Sequence, residues 1–238
     1  LAVRSGAPVY EFLSKPIGAV RNYGAHQSNG DIFVFLDADV MLTDCWHASI
    51  ENTLVKVAAN RNLITGSHCS APSANISSIE RYWFNSFEKA RSAHLGTGHM
   101  IMHRDLFMSL QGFDISLETG EDYDFCSRAE REQGAMIEEE SVLKVVHYGF
   151  PKNIVDFVKR EAWHGTGDLL SVRTALASKV LIAATVFAFI HLMIIGAISL
   201  DRYLYAGLSL SLLLVYLLIL SLYKFGHQSF PVVLLNTG

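Results

Sequence analysis

Apolar and polar positions divide the chain into two regimes. From Val180 to Leu200, and again from Tyr203 to Tyr223, run 21 residues without a formal charge at neutral pH, separated by Asp201 and Arg202. As a helix rising 1.5 Å per residue, each run spans the roughly 30 Å hydrocarbon core of a bilayer. The two-residue turn makes them an antiparallel hairpin with both outer ends in one compartment. Upstream the apolar runs are short. Asp31 to Leu36 reads as a buried strand rich in aromatic and β-branched residues. Ile50, Leu54, Val57 and Ala58 mark one face of a helix over residues 47–59, and Asn62 to Gly66 is the next strand. Ser78 to Phe84 opens another helix, and Glu121 to Gln133 forms a third, bounded by Gly120 and Gly134. Val142 to Val146 reads as the last strand. This βαβ rhythm predicts an α/β domain over residues 1–150 with a mostly parallel sheet, whose ligands sit beyond the carboxyl ends of the strands. Pro151 to Trp163 reads as an amphipathic helix with an apolar stripe of Ile154, Phe157, Val158 and Ala162. It belongs to a segment, 151–176, expected at the membrane surface. Residues 177–225 hold the two spans, at about 180–200 and 203–223, and 226–238 begin a further apolar segment.

Composition agrees with a membrane protein and narrows its partners. Half of the 238 residues are hydrophobic and the mean hydropathy is +0.27, more than a soluble domain needs. A net charge of -4 and a pI near 6.2 leave no basic footprint, so nucleic acid is not an expected partner. Cys45, Cys69 and Cys126 are odd in number and widely spaced, matching neither a disulfide framework nor a zinc pattern, and they suit a reducing compartment. Lys159, Arg160, Arg173 and Lys179 precede the hairpin and Lys224 follows it, against Arg202 in the turn. The positive-inside rule therefore places the outer ends, and the domain before them, in the cytoplasm of a multi-pass membrane protein. The chain starts at Leu1 and stops at Gly238 just after an apolar stretch begins, so it is expected to be a piece of a longer protein.

Asp37 and Asp39 stand where the first strand ends, and residues two apart on an extended segment point to one side. Two carboxylates sharing a site resist joint ionisation unless a cation or hydrogen bonds compensate, and Mg²⁺ or Mn²⁺ does so while also gripping phosphate. Alone, the same acids equally suit a helix cap or a turn. The context extends the pattern: Gly18-Ala19-Val20-Arg21-Asn22-Tyr23-Gly24-Ala25, then Asn29-Gly30-Asp31, then Phe35-Leu36-Asp37-Ala38-Asp39. It continues through Gly96-Thr97-Gly98, Arg104-Asp105-Leu106-Phe107, Gly112-Phe113-Asp114 and Gly120-Glu121-Asp122-Tyr123-Asp124.

From about Gly18 to His147 this succession resembles the family 2 glycosyltransferases. The resemblance implies a glycosyltransferase A-type domain, Rossmann-like with a mostly parallel sheet, followed here by the helical transmembrane hairpin. It implies an inverting, metal-dependent transfer of a sugar from a nucleotide-sugar donor to a lipid-linked or other glycan acceptor. By position, Asp37, Ala38 and Asp39 would meet the donor, with Asp39 the direct metal ligand, Asp37 beside it and His147 a third ligand. Asp122 would be the general base, with Glu121 next to it. Gly98 lies where the family brings backbone close to the donor sugar, and Arg21 is either a contact for the donor diphosphate or a solvated or locally paired charge. The processive members' Q-x-x-R-W motif is missing from Lys159 to Gly165, and His99 stands where many members have Asn. The family's nucleobase-binding start would lie before Leu1. Two rivals share some features. A haloacid dehalogenase-like phosphatase also ends an apolar strand in D-x-D-V, with its first Asp as nucleophile. A non-catalytic membrane scaffold with a degenerate transferase domain is the other.

Overall fold

The structure, a computed structural model, describes residues 6–13, 16–84, 94–169, 176 and 178–225. The segment 226–238, and Arg173 with the rest of 170–175, lie outside the described residues. The chain separates into two units, residues 1–80 with 87–167 and residues 81–86 with 168–238.

In the first unit, α1 (Ile17–Gln27) leads to β1 (Ile32–Leu36), β2 (Val40–Leu42), α2 (Asp44–Ala59), β3 (Leu63–Gly66) and β4 (Cys69–Ser70). After these come β5 (His99–His103), α3 (Arg104–Ser109), α4 (Glu121–Gln133), β6 (Met136–Glu139), β7 (Val145–His147) and α5 (Ile154–His164). The main sheet has the order β1-β5-β3-β6 and a smaller one the order β2-β7-β4.

The class is α/β, but the sheets are mixed rather than mostly parallel. Strands β1, β3 and β6 share one direction, as the βαβ rhythm requires, yet β5 inserts antiparallel between β1 and β3. Its sequence, His-Met-Ile-Met-His, has polar ends and no alternation, so it gives no strand signal although all five residues are buried. The last strand also shifts, from 142–146 to Val145–His147. The Leu143 N–H bonds to the Glu140 carbonyl in a turn that sinks Leu143 into the core.

Alternation along the buried strands divides the core into two faces. Phe33, Ile64, Met100 and Met102 meet Leu106, Phe107, Phe125 and Ala129 from α3 and α4. Leu63 and Ile101 face the other way, onto Val57 of α2 and onto Leu143. Helix α2 begins three residues before the expected position because Thr43 caps it: its Oγ1 accepts from the Trp46 N–H at 3.4 Å and donates to the Lys144 carbonyl at 2.7 Å. Gly134, in the left-handed region, closes α4 as anticipated. None of the residues of α5 is buried, and Ile154, Val155, Val158 and Trp163 lie exposed.

The second unit carries α6 (Lys179–Ser199) and α7 (Tyr203–Phe225), both long and apolar enough to cross a membrane. Mean hydropathy over their best windows is 2.5 and 2.2. Among the described residues, 11% and 22% of those windows is buried. The two helices pack as a hairpin in which the Tyr216 hydroxyl donates to the Ala183 carbonyl at 2.8 Å. Asp201, with φ +53, and Arg202, whose N–H reaches the Ala197 carbonyl at 2.7 Å, make the turn.

Candidate functional site

The site begins where β1 ends. The Asp37 N–H donates to the Gly98 carbonyl at 3.3 Å, and the Val40 N–H returns to the Asp37 carbonyl at 3.1 Å. Asp37, Ala38 and Asp39 therefore lie at a tight turn into β2, not on an extended segment as the spacing suggested. The acids converge for a different reason. Strand β7 pairs antiparallel with β2, setting His147 opposite Val40, and the Tyr148 N–H bonds to the Asp39 carbonyl at 2.9 Å. One ligand atom each from Asp37, Asp39 and His147 then falls within 4.8 Å of the others. Ala38 sits exposed at the turn, offering backbone only.

The donor set, two carboxylates and an imidazole, is one that Mn²⁺ or Mg²⁺ accepts. Burial holds the His147 imidazole below the usual histidine range despite the upward pull of Asp39 and Asp37, and Arg160 adds to the lowering. Its Nδ1 accepts from the Gly149 N–H at 3.2 Å, which leaves the ring proton on Nε2, 3.4 Å from Asp39 Oδ1. A cation at Nε2 would take that proton's place. Gly149 closes the cradle, because a Cβ there would run into the Asp39 carboxylate and the His147 ring. An open cleft of about 600 Å³, lined by Tyr148, Phe150, Lys152 and Arg160 among others, continues from Gly149.

Residues 96–98 form the opposite wall. A Cβ on Gly98 would lie 3.5 Å from Asp37 Oδ2 and 3.2 Å from Cys69 Sγ. Burial, with Asp37 and Asp39 adding to it, pushes the Cys69 thiol up to about 12, so it stays protonated. Thr97 Oγ1 donates to Glu121 Oε1 at 3.4 Å, and a Cβ on Gly96 would lie 3.5 Å from Asp122 Oδ2. The two acids at the start of α4 thus take different partners: Glu121 meets Arg21 of α1 and Thr97, whereas Asp122 lies beside Gly96 and accepts from the Tyr123 N–H at 2.8 Å. Burial and neighbouring Asp122 raise the Glu121 carboxyl, while Arg21 and Thr97 pull it back.

Arg21 is a paired charge. Its guanidinium donates at 2.6 Å to Asp37 Oδ1 and at 2.6 Å to Glu121 Oε1. Sequence reading did not single out His94 or the partners of His99. The His94 imidazole lies below its usual range through burial, with Asp122 raising it and His68 lowering it, and its ring meets Tyr123 edge-on at 5.3 Å. Wholly buried His99 accepts from Trp46 Nε1–H at 2.9 Å on Nε2, and its Nδ1 lies 2.9 Å from Ser67 Oγ. The Ser67 N–H also donates to His99 Nδ1 at 3.1 Å, and Ser67 Oγ donates onward to the Leu143 carbonyl at 2.5 Å, so each ring nitrogen faces a donor and a doubly protonated ring is disfavoured. Burial lowers it to about 4. Residue type alone marks these groups in the sequence; the Ser67 and Trp46 partners of His99 are 32 and 53 positions away.

Compared with known proteins, the chain matches no family model and no curated protein.

Proposed function

We propose that the chain is a membrane-anchored, metal-dependent, inverting glycosyltransferase. It moves a sugar from a nucleotide-sugar to a lipid-linked or other glycan acceptor, with the catalytic unit on the cytoplasmic face. One observation carries the proposal: Asp37, Asp39 and His147 offer converging oxygen and nitrogen ligands, and the 96–98 turn beside them also meets the acid pair of α4. A diphosphate leaving group and a general base both find partners around that turn. The motif succession from Gly18 to His147, which resembles the family 2 enzymes, supports the same assignment. Helices α6 and α7 support the membrane anchor, and the basic residues flanking them support the cytoplasmic orientation.

Asp37, Asp39 and His147 would hold Mn²⁺ or Mg²⁺, which when bound neutralises charge gathering on the leaving diphosphate. The remaining work falls to the chain's own groups. Ala38 and Gly98 present backbone without bulk to the donor. Asp122 accepts the acceptor hydroxyl's proton as that oxygen attacks the anomeric carbon and the carbon–diphosphate bond breaks. A single displacement inverts the anomeric centre, so an α-linked donor gives a β-linked product. A phosphatase with Asp37 as nucleophile has less support, since Arg21 holds Asp37 Oδ1 at 2.6 Å and draws charge from it.

The test is incubation of the detergent-solubilised chain with sugar nucleotides, phosphomonoesters and Mn²⁺. Release of nucleoside diphosphate is the expected result. Release of inorganic phosphate from the phosphomonoesters would establish the phosphatase instead, and release of neither would leave a scaffold.

A further inference from the structure

Arg21 and Glu121 stand 100 residues apart in sequence and meet at 2.6 Å, with side chains 12% and 8% exposed. Screening by solvent is weak at such burial. The helices that carry them are fixed to one common turn. From α1, the Asn22 side chain grips Phe113 both ways, donating to its carbonyl at 2.8 Å and accepting from its N–H at 2.9 Å. Gly112 beside it has φ +73, and a Cβ there would lie 2.5 Å from Asn22 Oδ1. From α4, Arg128 donates to the Leu110 and Gly112 carbonyls at 2.8 and 2.9 Å. The guanidinium and the Glu121 carboxylate are therefore set in place by contacts to the 110–113 turn, which does not line the cleft beside Gly149.

We propose that Arg21 and Glu121 are a positioning pair: Arg21 fixes the Asp37 carboxylate and, through Glu121, the first turn of α4, so that Asp122 is the acid presented to the acceptor. The inference rests on the transferase reading and changes two roles that the sequence suggested. A guanidinium already shared by two carboxylates has little charge left for a diphosphate, so Arg21 is not a donor contact. Glu121 Oε1 receives both Arg21 and Thr97 and lies buried, so Glu121 is not the base. Lysine cannot substitute, because an ammonium lacks the planar fork that reaches two acceptors at once.

The experiment measures kcat, donor KM and thermal unfolding on the solubilised full chain carrying Arg21→Gln, Arg21→Lys, Glu121→Gln, or Arg21→Gln with Glu121→Gln. Arg21→Gln strands the buried Glu121 carboxylate. It should lower the melting temperature by roughly 10 °C and lower kcat about 100-fold, the cost of a misplacement near 1 Å. Donor KM should stay within about threefold, as expected when an interaction with bound donor has not been lost. Glu121→Gln alone keeps an oxygen for Arg21 and should cost about tenfold or less, well short of a lost general base. Added to Arg21→Gln, it removes the stranded charge and should restore kcat about tenfold. Arg21→Lys, with charge but no fork, should recover more of the melting temperature than of kcat. Three results would each overturn the pair: a donor KM raised about tenfold at unchanged kcat in Arg21→Gln, a loss of about 100-fold or more in Glu121→Gln, or a double variant no better than Arg21→Gln. If the unaltered chain transfers no sugar, the transferase reading fails and the positioning role fails with it. The unfolding cycle would still report whether the two side chains are coupled, which distinguishes that failure from the other.

Discussion

Acid should loosen the catalytic unit through His99, and the size of the effect follows from its surroundings. The ring is wholly buried, takes the Trp46 N–H on Nε2 and meets both the Ser67 N–H and the Ser67 hydroxyl at Nδ1. A second proton would face the Trp46 donor, and burial holds the group at about 4. In the unfolded chain it titrates near 6.5. The folded-state value is the lower one, so the unfolded chain binds the extra proton first. Stability is full above about pH 6.5 and falls as pH drops toward about 4. Linkage between these two values gives a loss of about 2 kcal/mol at pH 5 and about 3 kcal/mol at pH 4. For a unit of this size, 2 kcal/mol corresponds to roughly 4–8 °C in melting temperature. The assay is thermal unfolding of the solubilised chain at pH 7 and pH 5, for the unaltered protein and for His99→Gln. The variant should be less stable at pH 7, but its disadvantage should shrink by about 2 kcal/mol at pH 5, because it has no imidazole to protonate. Equal acid losses in the two proteins would refute the neutral, two-sided hydrogen bonding assigned to His99. Activity should follow stability on the acid side, since the His99 N–H bonds to the Gly96 carbonyl at 3.2 Å and so helps hold the 96–98 turn.

Asp39→Ala, like chelation by EDTA, should lower transfer by roughly 10²–10⁴-fold, the several kcal/mol that a cation contributes against diphosphate charge; full turnover in EDTA would mean that the two acids are structural. Asp122→Asn should lower kcat by about 10²–10⁴-fold while Mn²⁺ and donor still bind, and NMR of the product of an α-linked donor should show a β linkage. Gly149→Ala should weaken Mn²⁺ affinity about 10–100-fold with the fold unchanged, read by electron paramagnetic resonance titration, because the added carbon displaces the Asp39 and His147 side chains. The full chain should stay with membranes in high salt or carbonate and leave them in detergent, since among the described residues the apolar faces of α6 and α7 are mostly exposed; release by carbonate alone would dismiss the spanning hairpin.

The legible parts of the fold were those in which local pattern and tertiary environment agree. Strand β1, helix α4 with Gly134 behind it, and the two apolar helices each carry their own period or cap, and neighbours only confirm it. Strand β5 is the opposite case: a short Met-Ile-Met run becomes a strand because β1 and β3 offer it two edges. Strand β6 carries Glu138 and Glu139, which weaken any strand signal, and Lys56 offsets the first of them at 2.6 Å. At the site, the sequence shows which residue types could hold a cation but not how they meet. Asp37 and Asp39 converge through a turn rather than through strand alternation. His147 reaches them because β7 pairs with β2, and the Arg21–Glu121 contact spans a separation on which spacing is silent.

Charge explains why so many of these groups are found together. Asp37, Glu121 and Asp122 bring three carboxyl groups to the 96–98 turn, with Asp39 two residues beyond the first, and Arg21 is shared between Asp37 and Glu121. His147, kept toward neutrality by burial, does not balance the rest. A diphosphate approaching this arrangement would meet repulsion from the carboxylates at Asp39 and Asp122. A divalent cation between Asp37, Asp39 and His147 would reverse the local sign at the end where a diphosphate would sit. The arrangement depends on Arg21 being committed elsewhere. Were its guanidinium turned toward the diphosphate, Glu121 would stay buried without a counter-charge, which costs more than a surface phosphate contact returns. Under the proposed function the carboxylates would serve different ends: Asp37 and Asp39 would hold a cation, with Arg21 also on Asp37, Glu121 takes the same guanidinium, and Asp122 would take the hydroxyl proton.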